Sequence, residues 1–268
     1  MTNTKKKSKN KMKLLSAVGM LTVSAAMLVS STFAWFSLNK NVTATSMTVT
    51  AKSSSVYLLI GDETESTVSA IQTGNATEKA GVAPTTTQIY PSAYKDNATL
   101  SYTNQMSASA DFADPTKWYR ATAASAGAST AKTGTLVALD STTFGQYVIH
   151  YQYNLTLAVG SEPASDLVVT NYTPAMTNVK TGTAETMQAV KVVVCGPNGY
   201  CELATTDSSN ATVLANTVTD SAVTTVDVYV YYDGNDSTVF TNNIANLEGA
   251  NFTIEFGVTA ASDEPLAP

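Results

Sequence analysis

The chain has 268 residues, of which 21 are acidic and 15 are basic, and its net charge at pH 7 is −6. Nucleic-acid binding draws its affinity from clustered Lys and Arg, so this charge balance argues against a nucleic-acid partner. The length is sufficient for one large domain with a sizeable core.

The N-terminus has the pattern of a secretory signal peptide. Six lysines lie within the first 13 residues, and an apolar run without charge then extends as far as Lys40. Thr32 and Ala34 place small residues at the −3 and −1 positions of a cut after Ala34. We therefore interpret residues 1–34 as a signal peptide. The mature chain then keeps nine basic and 21 acidic residues, a net charge of −12.

The same apolar run is long enough to span a bilayer. An uncleaved membrane anchor is therefore the alternative to a signal peptide. Both interpretations place the bulk of the protein outside the cytoplasm, in the secreted fraction, the extracellular matrix or on the cell surface.

A stretch near the N-terminus has alternating apolar side chains, and the alternation changes phase. Even positions carry Phe36, Leu38, Val42 and Ala44, with Lys40 interrupting, whereas odd positions carry Met47, Val49 and Ala51. A slip of one residue moves every side chain to the opposite face, so one regular strand cannot bury both sets. A bulge near Thr45 and Ser46 would reconcile them within one domain. The alternative is two strands, one starting at Met47 in this subunit's sheet and one at 35–44 that pairs elsewhere.

The remainder of the chain is predicted to be a β protein. One face of the longest alternating stretch carries Tyr147, Ile149, Tyr151, Tyr153, Leu155, Leu157 and Val159. Further candidate strands lie at 56–60, 167–172, 190–194, 226–232 and 252–258. Alternation of this kind is typical of half-buried antiparallel strands. We predict an all-β fold, a jelly-roll-like antiparallel β-sandwich with loop insertions.

One short helix is predicted within residues 114–126, with Asp114 as its N-cap and Pro115 at the first helical position. The segments 61–86 and 124–135 are rich in Thr, Ala, Gly and Ser, and we interpret them as surface excursions.

The two cysteines, Cys195 and Cys201, lie in the short stretch CGPNGYC. An even number of cysteines in an exported chain favours a disulfide. Pro197, Asn198 and Gly199 supply a turn that would bring the two sulfurs together. Two thiols alone cannot complete a zinc site, which needs three or four ligands. We therefore predict a disulfide at the tip of a hairpin.

The N-terminal stretch resembles the TasA/camelysin family, the exported fibre subunits of Gram-positive biofilm matrix. The resemblance rests on TFA followed by WFS, on LNKNVTATS, and on the alternating strand MTVTA. The resemblance covers this N-terminal part of the chain well. For the rest of the chain it extends only to the overall architecture. It implies that a dedicated signal peptidase exposes the N-terminal segment. It also implies that this segment inserts as a donor strand into the jelly roll of the next subunit.

The resemblance divides the mature chain into a donor-strand segment at 35–46 and a β-sandwich domain at 47–268. The side chains expected to fill the neighbour's groove are Trp35, Phe36, Leu38, Val42 and Ala44; Trp35 is alternatively a recognition residue for the peptidase. The partner is another copy of the chain, and an accessory or anchoring subunit is a further candidate. Addition of a strand to an open sheet edge, repeated head to tail, produces open filaments.

The sequence offers little that points to catalysis. His150 is the single histidine and lies on the polar face of a predicted strand. The sequence contains neither G-x-S-x-G nor H-E-x-x-H. It therefore indicates no hydrolytic triad. It also indicates no metallopeptidase site, although camelysin-type proteins have been classed as metallopeptidases. We predict a protein that is not an enzyme and that needs no cofactor. An extracellular metal-dependent hydrolase is the least favoured hypothesis.

Two other groups of residues have both a functional and a structural interpretation. Asp233, Asn235 and Asp236 are weak candidates for calcium ligands, but they are also ordinary residues of hairpin turns. Trp118 and Tyr119 are of the types enriched at interfaces, but Trp118 is more simply explained as a core residue under a loop.

The favoured function is therefore a secreted structural subunit that forms fibres by donor-strand exchange. The alternative is a membrane-tethered, monomeric surface domain that binds a host or matrix ligand.

Overall fold

A computed structural model describes residues 47–52, 57–81, 89–95, 106–122, 135–177, 184–185, 189–203, 206, 208–236 and 250–260. The strands are β1 (Met47–Lys52), β2 (Leu58–Asp62), β3 (Glu78–Ala80), β4 (Tyr119–Thr122), β5 (Thr135–Ala138), β6 (Val148–Leu157), β7 (Ala164–Thr177), β8 (Ala184–Glu185), β9 (Val190–Cys195), β10 (Tyr200–Glu202), β11 (Ser208–Val218), β12 (Thr224–Tyr232) and β13 (Ala250–Ala260). The described part also contains one α-helix, α1 (Val68–Gly74), and short 3₁₀ helices at Ser109–Ala113, Pro115–Lys117 and Phe144–Gln146.

Two sheets pack face to face, and the prediction of an all-β sandwich is confirmed. The first sheet has the order β11-β7-β13-β1-β3, with β8 beside β7, and the second has the order β10-β9-β12-β6-β2. Within them, β1-β13-β7-β11 faces β6-β12-β9-β10, which is the strand order of a jelly roll. The strand pairs of both sheets are antiparallel except β1 with β13, which run parallel over all six residues of β1. The strand predicted to start at Met47 therefore lies inside the first sheet.

The main core lies between the sheets and follows the predicted alternation. From β6 it receives Ile149, Tyr151, Tyr153, Leu155 and Leu157, and it is continued by alternate residues of β9, β12 and β13. Two positions differ from the prediction. Tyr147 and Val159 lie outside the ends of β6: Tyr147 packs against a different cluster, and the side chain of Val159 is 79% exposed in the turn that follows. The alternating stretch is therefore longer than the strand that it predicts.

A second core covers part of the outer face of the second sheet. It is built mainly from aromatic residues of the segment between β3 and β6, packed on outward-facing residues of β9 and β12: Tyr94, Met106, Phe112, Trp118, Leu139, Val148, Val193, Cys195, Tyr229 and Tyr231. Trp118 is fully buried, and its Nε1 donates a hydrogen bond to the carbonyl oxygen of Phe112 at 3.0 Å. The interpretation of Trp118 as a core residue under a loop is confirmed.

The helix predicted within 114–126 begins where expected but is only one turn long. The Asp114 side chain accepts from the N–H of Thr116 at 2.9 Å, and Pro115 opens the 3₁₀ helix. Burial of Trp118 then directs the chain into β4, whose first residue, Tyr119, pairs with Ala93. The second core thus overrides the local preference for helix.

The α-helix lies instead in the segment that the sequence analysis interpreted as a surface excursion. Thr67 caps α1 by accepting from the N–H of Ala70, and Asn75 ends it in the left-handed region with φ of 46°. Ile71 is the buried residue of α1. A single buried side chain leaves no helical periodicity to detect, which explains why the helix was not predicted, whereas the other residues of 62–81 are exposed or half-buried, as expected for a surface excursion. Of the other predicted excursion, residues 124–134 lie outside the described residues.

Candidate strand-acceptor edge

Among the described strands, β6 has neighbours on both sides over half its length and on one side over the other half. β2 pairs with β6 from Leu58 opposite Leu157 to Asp62 opposite Tyr153, and there it ends. On its other side β6 continues to pair with β12 as far as Val148. No described residue pairs with positions 148–152 on the β2 side. We call residues 148–152 the open edge; five extended residues span about 17 Å.

The main chain of the open edge has hydrogen-bonding groups directed away from the sheet. Ala158, just beyond β6, donates to the carbonyl oxygen of Tyr57 on the β2 side at 2.9 Å. Alternate residues of a strand direct their N–H and C=O groups to the same side. His150 and Gln152 therefore direct these groups toward the open edge, where an incoming strand could pair with them. Tyr151 directs its groups toward β12.

The inner side of the open edge is apolar. Ile149 and Tyr151 project between the sheets and are buried. Ile149 also lines a small hollow with Ile89 of the preceding segment, Val190 of β9 and Ala250 of β13. A strand added here would place alternate side chains next to these residues, because cross-strand neighbours share a face.

The chain enters the first sheet at the same end of the sandwich. Met47, the first residue of β1, pairs with Phe252, two residues after Ala250 of the hollow. The hollow also includes Ile149 of the open edge. Met47 therefore lies at the end of the sandwich that carries the open edge.

The other outer strands are short, or are covered or irregularly paired over part of their length. β3 and β10 have three residues each. The tip of the β9–β10 hairpin lies against β11, where Asn198 donates its N–H to the carbonyl oxygen of Leu214 at 2.8 Å. In β7, Pro174 lies between the stretches paired with β11 and with β8, and proline offers no N–H to an added strand. The open edge of β6 is therefore the described edge best suited to strand addition.

The residues predicted to form the donor strand, Trp35, Phe36, Leu38, Val42 and Ala44, lie outside the described residues. The predicted signal peptide at 1–34 lies outside them as well. In the part of the chain that the structure describes, no helix is long and apolar enough to cross a membrane.

The predicted disulfide is wrong, although the hairpin that should carry it is present. Cys195 pairs with Tyr200 and Cys201 pairs with Val194, so the two cysteines are one position out of register and lie on opposite faces of the sheet. Cys201 belongs to the main core and Cys195 to the second core, and both thiols are free. Burial raises the pKa of Cys201 to about 12. Burial and the nearby Asp227 raise the pKa of Cys195 as well, which makes it a poor nucleophile.

The tip of the β9–β10 hairpin packs so closely against β11 that Gly196 has no room for a side chain. A Cβ atom on Gly196 would lie 2.4 Å from the carbonyl oxygen of Leu214. Glycine is therefore required here by the packing of the tip against β11, and the motif CGPNGYC has a structural explanation without a sulfur bridge.

In the turn proposed as a weak calcium site, polar atoms of Asp233 and Asn235 form hydrogen bonds within the protein. Asp233 accepts from the N–H of Asn235 at 2.9 Å, and the Asn235 side chain donates to the carbonyl oxygen of Lys95. Burial raises the pKa of Asp233, which disfavours the ionised form that calcium requires. Among the described residues, no group of three or more His, Cys, Asp or Glu side chains could hold a metal ion. Asp236 closes the same turn through its N–H to the carbonyl oxygen of Asp233.

His150 is an exposed strand residue, as predicted. Its imidazole stacks on the ring of Tyr229, with centroids 4.7 Å apart and planes at 12°. Its Nε2 lies 2.7 Å from a carboxylate oxygen of Asp227. These contacts fix the side chain on the outer face of the second sheet, while its main chain belongs to the open edge.

Comparison with known proteins adds no family. No family model and no curated protein matches the chain. A solved structure described as "AvmM Catalyzes Macrocyclization in Alchivemycin A Biosynthesis" is similar over 45% of this chain and 84% of its own, at 7% identity and a TM-score of 0.24. A likeness this weak carries no argument about fold or activity.

Proposed function

We propose that this protein is a secreted structural subunit that assembles head to tail into extracellular fibres. In this proposal residues 35–46 of one copy add as a strand to the open edge of β6 in the next copy. The observation that carries the proposal is the open edge itself, whose outward main-chain groups pair with no described residue and whose inner side chains are apolar and buried. The phase change before Met47, which separates residues 35–44 from β1, supports it independently.

Side-chain burial would supply most of the affinity. His150 and Gln152 offer two N–H and two C=O groups, and each main-chain hydrogen bond contributes about 1 kcal/mol net. Full burial of a side chain such as Phe36 or Leu38 contributes about 1.5–3 kcal/mol. Two or three buried donor side chains therefore contribute about 3–9 kcal/mol, against about 4 kcal/mol for the four hydrogen bonds. The apolar face of the donor segment should decide whether assembly occurs.

Each subunit then has one donor segment and one acceptor edge. Such heterologous contacts repeat without closing and give filaments rather than rings. Withdrawal of the open edge from solvent would also remove a site for unspecific pairing. Homopolymerisation is therefore the partner interaction that this arrangement supports.

N-terminal sequencing of the protein in purified extracellular fibres tests the proposal. We expect the chain in fibres to start at Trp35 or Phe36, and we expect the amide protons of His150 and Gln152 to exchange more slowly in fibres than in monomers. An intact N-terminus in the membrane fraction, without filaments in negative-stain micrographs, would favour the alternative of a tethered monomeric surface domain.

A further inference from the structure

Lys40 is anomalous in the proposed donor strand. It occupies an even position, which in an extended strand shares a face with Phe36, Leu38 and Val42. If those side chains enter the neighbour's groove, the ammonium group of Lys40 enters with them. A buried charge is costly unless it meets a partner, so the acceptor should offer one.

The acceptor has a buried hydroxyl without a hydrogen-bond partner. The OH of Tyr153 makes no hydrogen bond in the part of the chain that the structure describes, and the residue is only 1% exposed. Buried polar groups without partners are rare and costly in folded proteins. Tyr153 is also the last residue of β6 that β2 covers, so it lies immediately next to the open edge.

An acidic residue lies opposite Tyr153 on β2. Asp62 is the cross-strand partner of Tyr153, and cross-strand partners project from the same face of a sheet. Thr64 donates its N–H and its hydroxyl to Oδ1 of Asp62, at 2.9 and 2.5 Å, whereas Oδ2 has no described donor. The hydrogen bond from the Thr64 hydroxyl is the main reason that the pKa of Asp62 is lowered, so the carboxylate stays ionised.

The turn next to Tyr153 and Asp62 carries negative charge. The turn that follows β2 contains Glu63 and Glu65 as well as Asp62. Lys79 forms an ion pair with Glu65 at 2.7 Å and also acts on Asp62, so a single lysine faces the three acidic residues of the turn. A cation that arrives along the open edge therefore meets complementary charge.

We infer that Tyr153 and Asp62 form a binding corner for Lys40 of the incoming strand, which fixes the register of donor and acceptor. The inference rests on the proposed function. With Lys40 opposite Tyr151, Tyr153 is its diagonal neighbour on β6, a separation that long side chains span, and Asp62 lies next in line on the β2 side. The hydroxyl of Tyr153 accepts from the ammonium group, and Asp62 pairs with its charge.

The same register places an apolar residue at the apolar end of the groove. If Lys40 lies opposite Tyr151, then Leu38 or Val42 lies opposite Ile149, beside the hollow. A slip by two residues would move the ammonium group to that hollow and leave it unpaired. One polar residue on an otherwise apolar face thus excludes the competing registers, as a buried asparagine does in a coiled coil.

Two synthetic peptides test the inference on the full secreted chain. The peptide WFSLNKNVTATS, residues 35–46, should cap the acceptor edge and slow fibre elongation. A second peptide with Lys40→Met keeps the length and apolar stem of the side chain but lacks the charge. We expect about tenfold more of the Lys40→Met peptide to be needed for half-inhibition, as a charge-assisted hydrogen bond predicts.

Two variants of the acceptor chain test whether the difference between the two peptides arises at the binding corner. In a Tyr153→Phe or Asp62→Asn chain the two peptides should differ by less than about threefold, since one partner of the ammonium group is lost. The melting temperature of the Tyr153→Phe monomer should be unchanged or higher, because the hydroxyl that is removed has no partner there.

The outcomes separate the two proposals. Equal or stronger inhibition by the Lys40→Met peptide would overturn the binding corner and leave strand addition intact. An undiminished difference between the peptides in both variants would also overturn it. Failure of the unmodified peptide to slow elongation would overturn strand addition itself, and the corner with it.

Discussion

Fibres should not form from a Gln152→Pro variant, whereas a Gln152→Ala variant should assemble like the unmodified protein. Both changes remove the same side chain, but only proline removes the N–H that Gln152 directs to the open edge. Its ring also occupies the space in which an added strand would lie. Because this N–H is not used in the ladder with β12, the subunit should stay folded, as edge strands tolerate proline.

A donor variant complements this experiment. Leu38→Asp places a charge in an apolar groove and should raise the critical concentration for assembly more than about a hundredfold. The Gln152→Pro chain retains a donor, and the Leu38→Asp chain retains an acceptor. A mixture of the two should therefore form a heterodimer that cannot grow, visible by size-exclusion chromatography. Long fibres of Gln152→Pro alone, or no heterodimer from the mixture, would contradict the assignment of β6 as the acceptor.

The second large effect is expected on stability. Trp118→Ala should lower the free energy of unfolding by about 3–5 kcal/mol, the range for truncation of a large buried aromatic residue. The indole packs edge-on against Tyr94 and Tyr231, with centroids 5.2 and 5.1 Å away. Its loss would also leave the carbonyl oxygen of Phe112 without its donor.

Denaturant unfolding measures this effect, and Tyr57→Ala is the control. The side chain of Tyr57 is 75% exposed, so its removal should change the free energy of unfolding by less than about 0.5 kcal/mol. An effect of Trp118→Ala as small as that of the control would mean that the second core does not stabilise the sandwich.

The strands were predictable because a sandwich buries one face of each strand, and this leaves a period of two in the sequence. The stretch from Val190 shows the limit of this argument. The sequence places a hairpin between Cys195 and Cys201 correctly, but the prediction of a disulfide needs the register of the hairpin. A loop of four residues puts the two cysteines on opposite faces, and nothing in their spacing reveals this.

The acceptor edge could not be predicted from the sequence, for a related reason. The open edge exists because β2 stops opposite Tyr153 while β6 continues for five more residues. Which strand covers which is decided by long-range pairing, and the sequence of β6 itself shows only regular alternation. The second core was suggested by Trp118, but its extent over the outer face depends on the path of the segment between β3 and β6.

The position of β1 has a mechanical consequence for a fibre built in this way. Tension between subunits would reach each sandwich through Met47, the first residue of β1. This strand lies between β13, which holds all six of its residues, and β3, which holds three. A pull along the strand axis would load these ladders in shear, so that many hydrogen bonds must break together rather than one after another. Single-molecule pulling from the N-terminus should therefore show a high and sharp rupture force, and gradual extension at low force would contradict this.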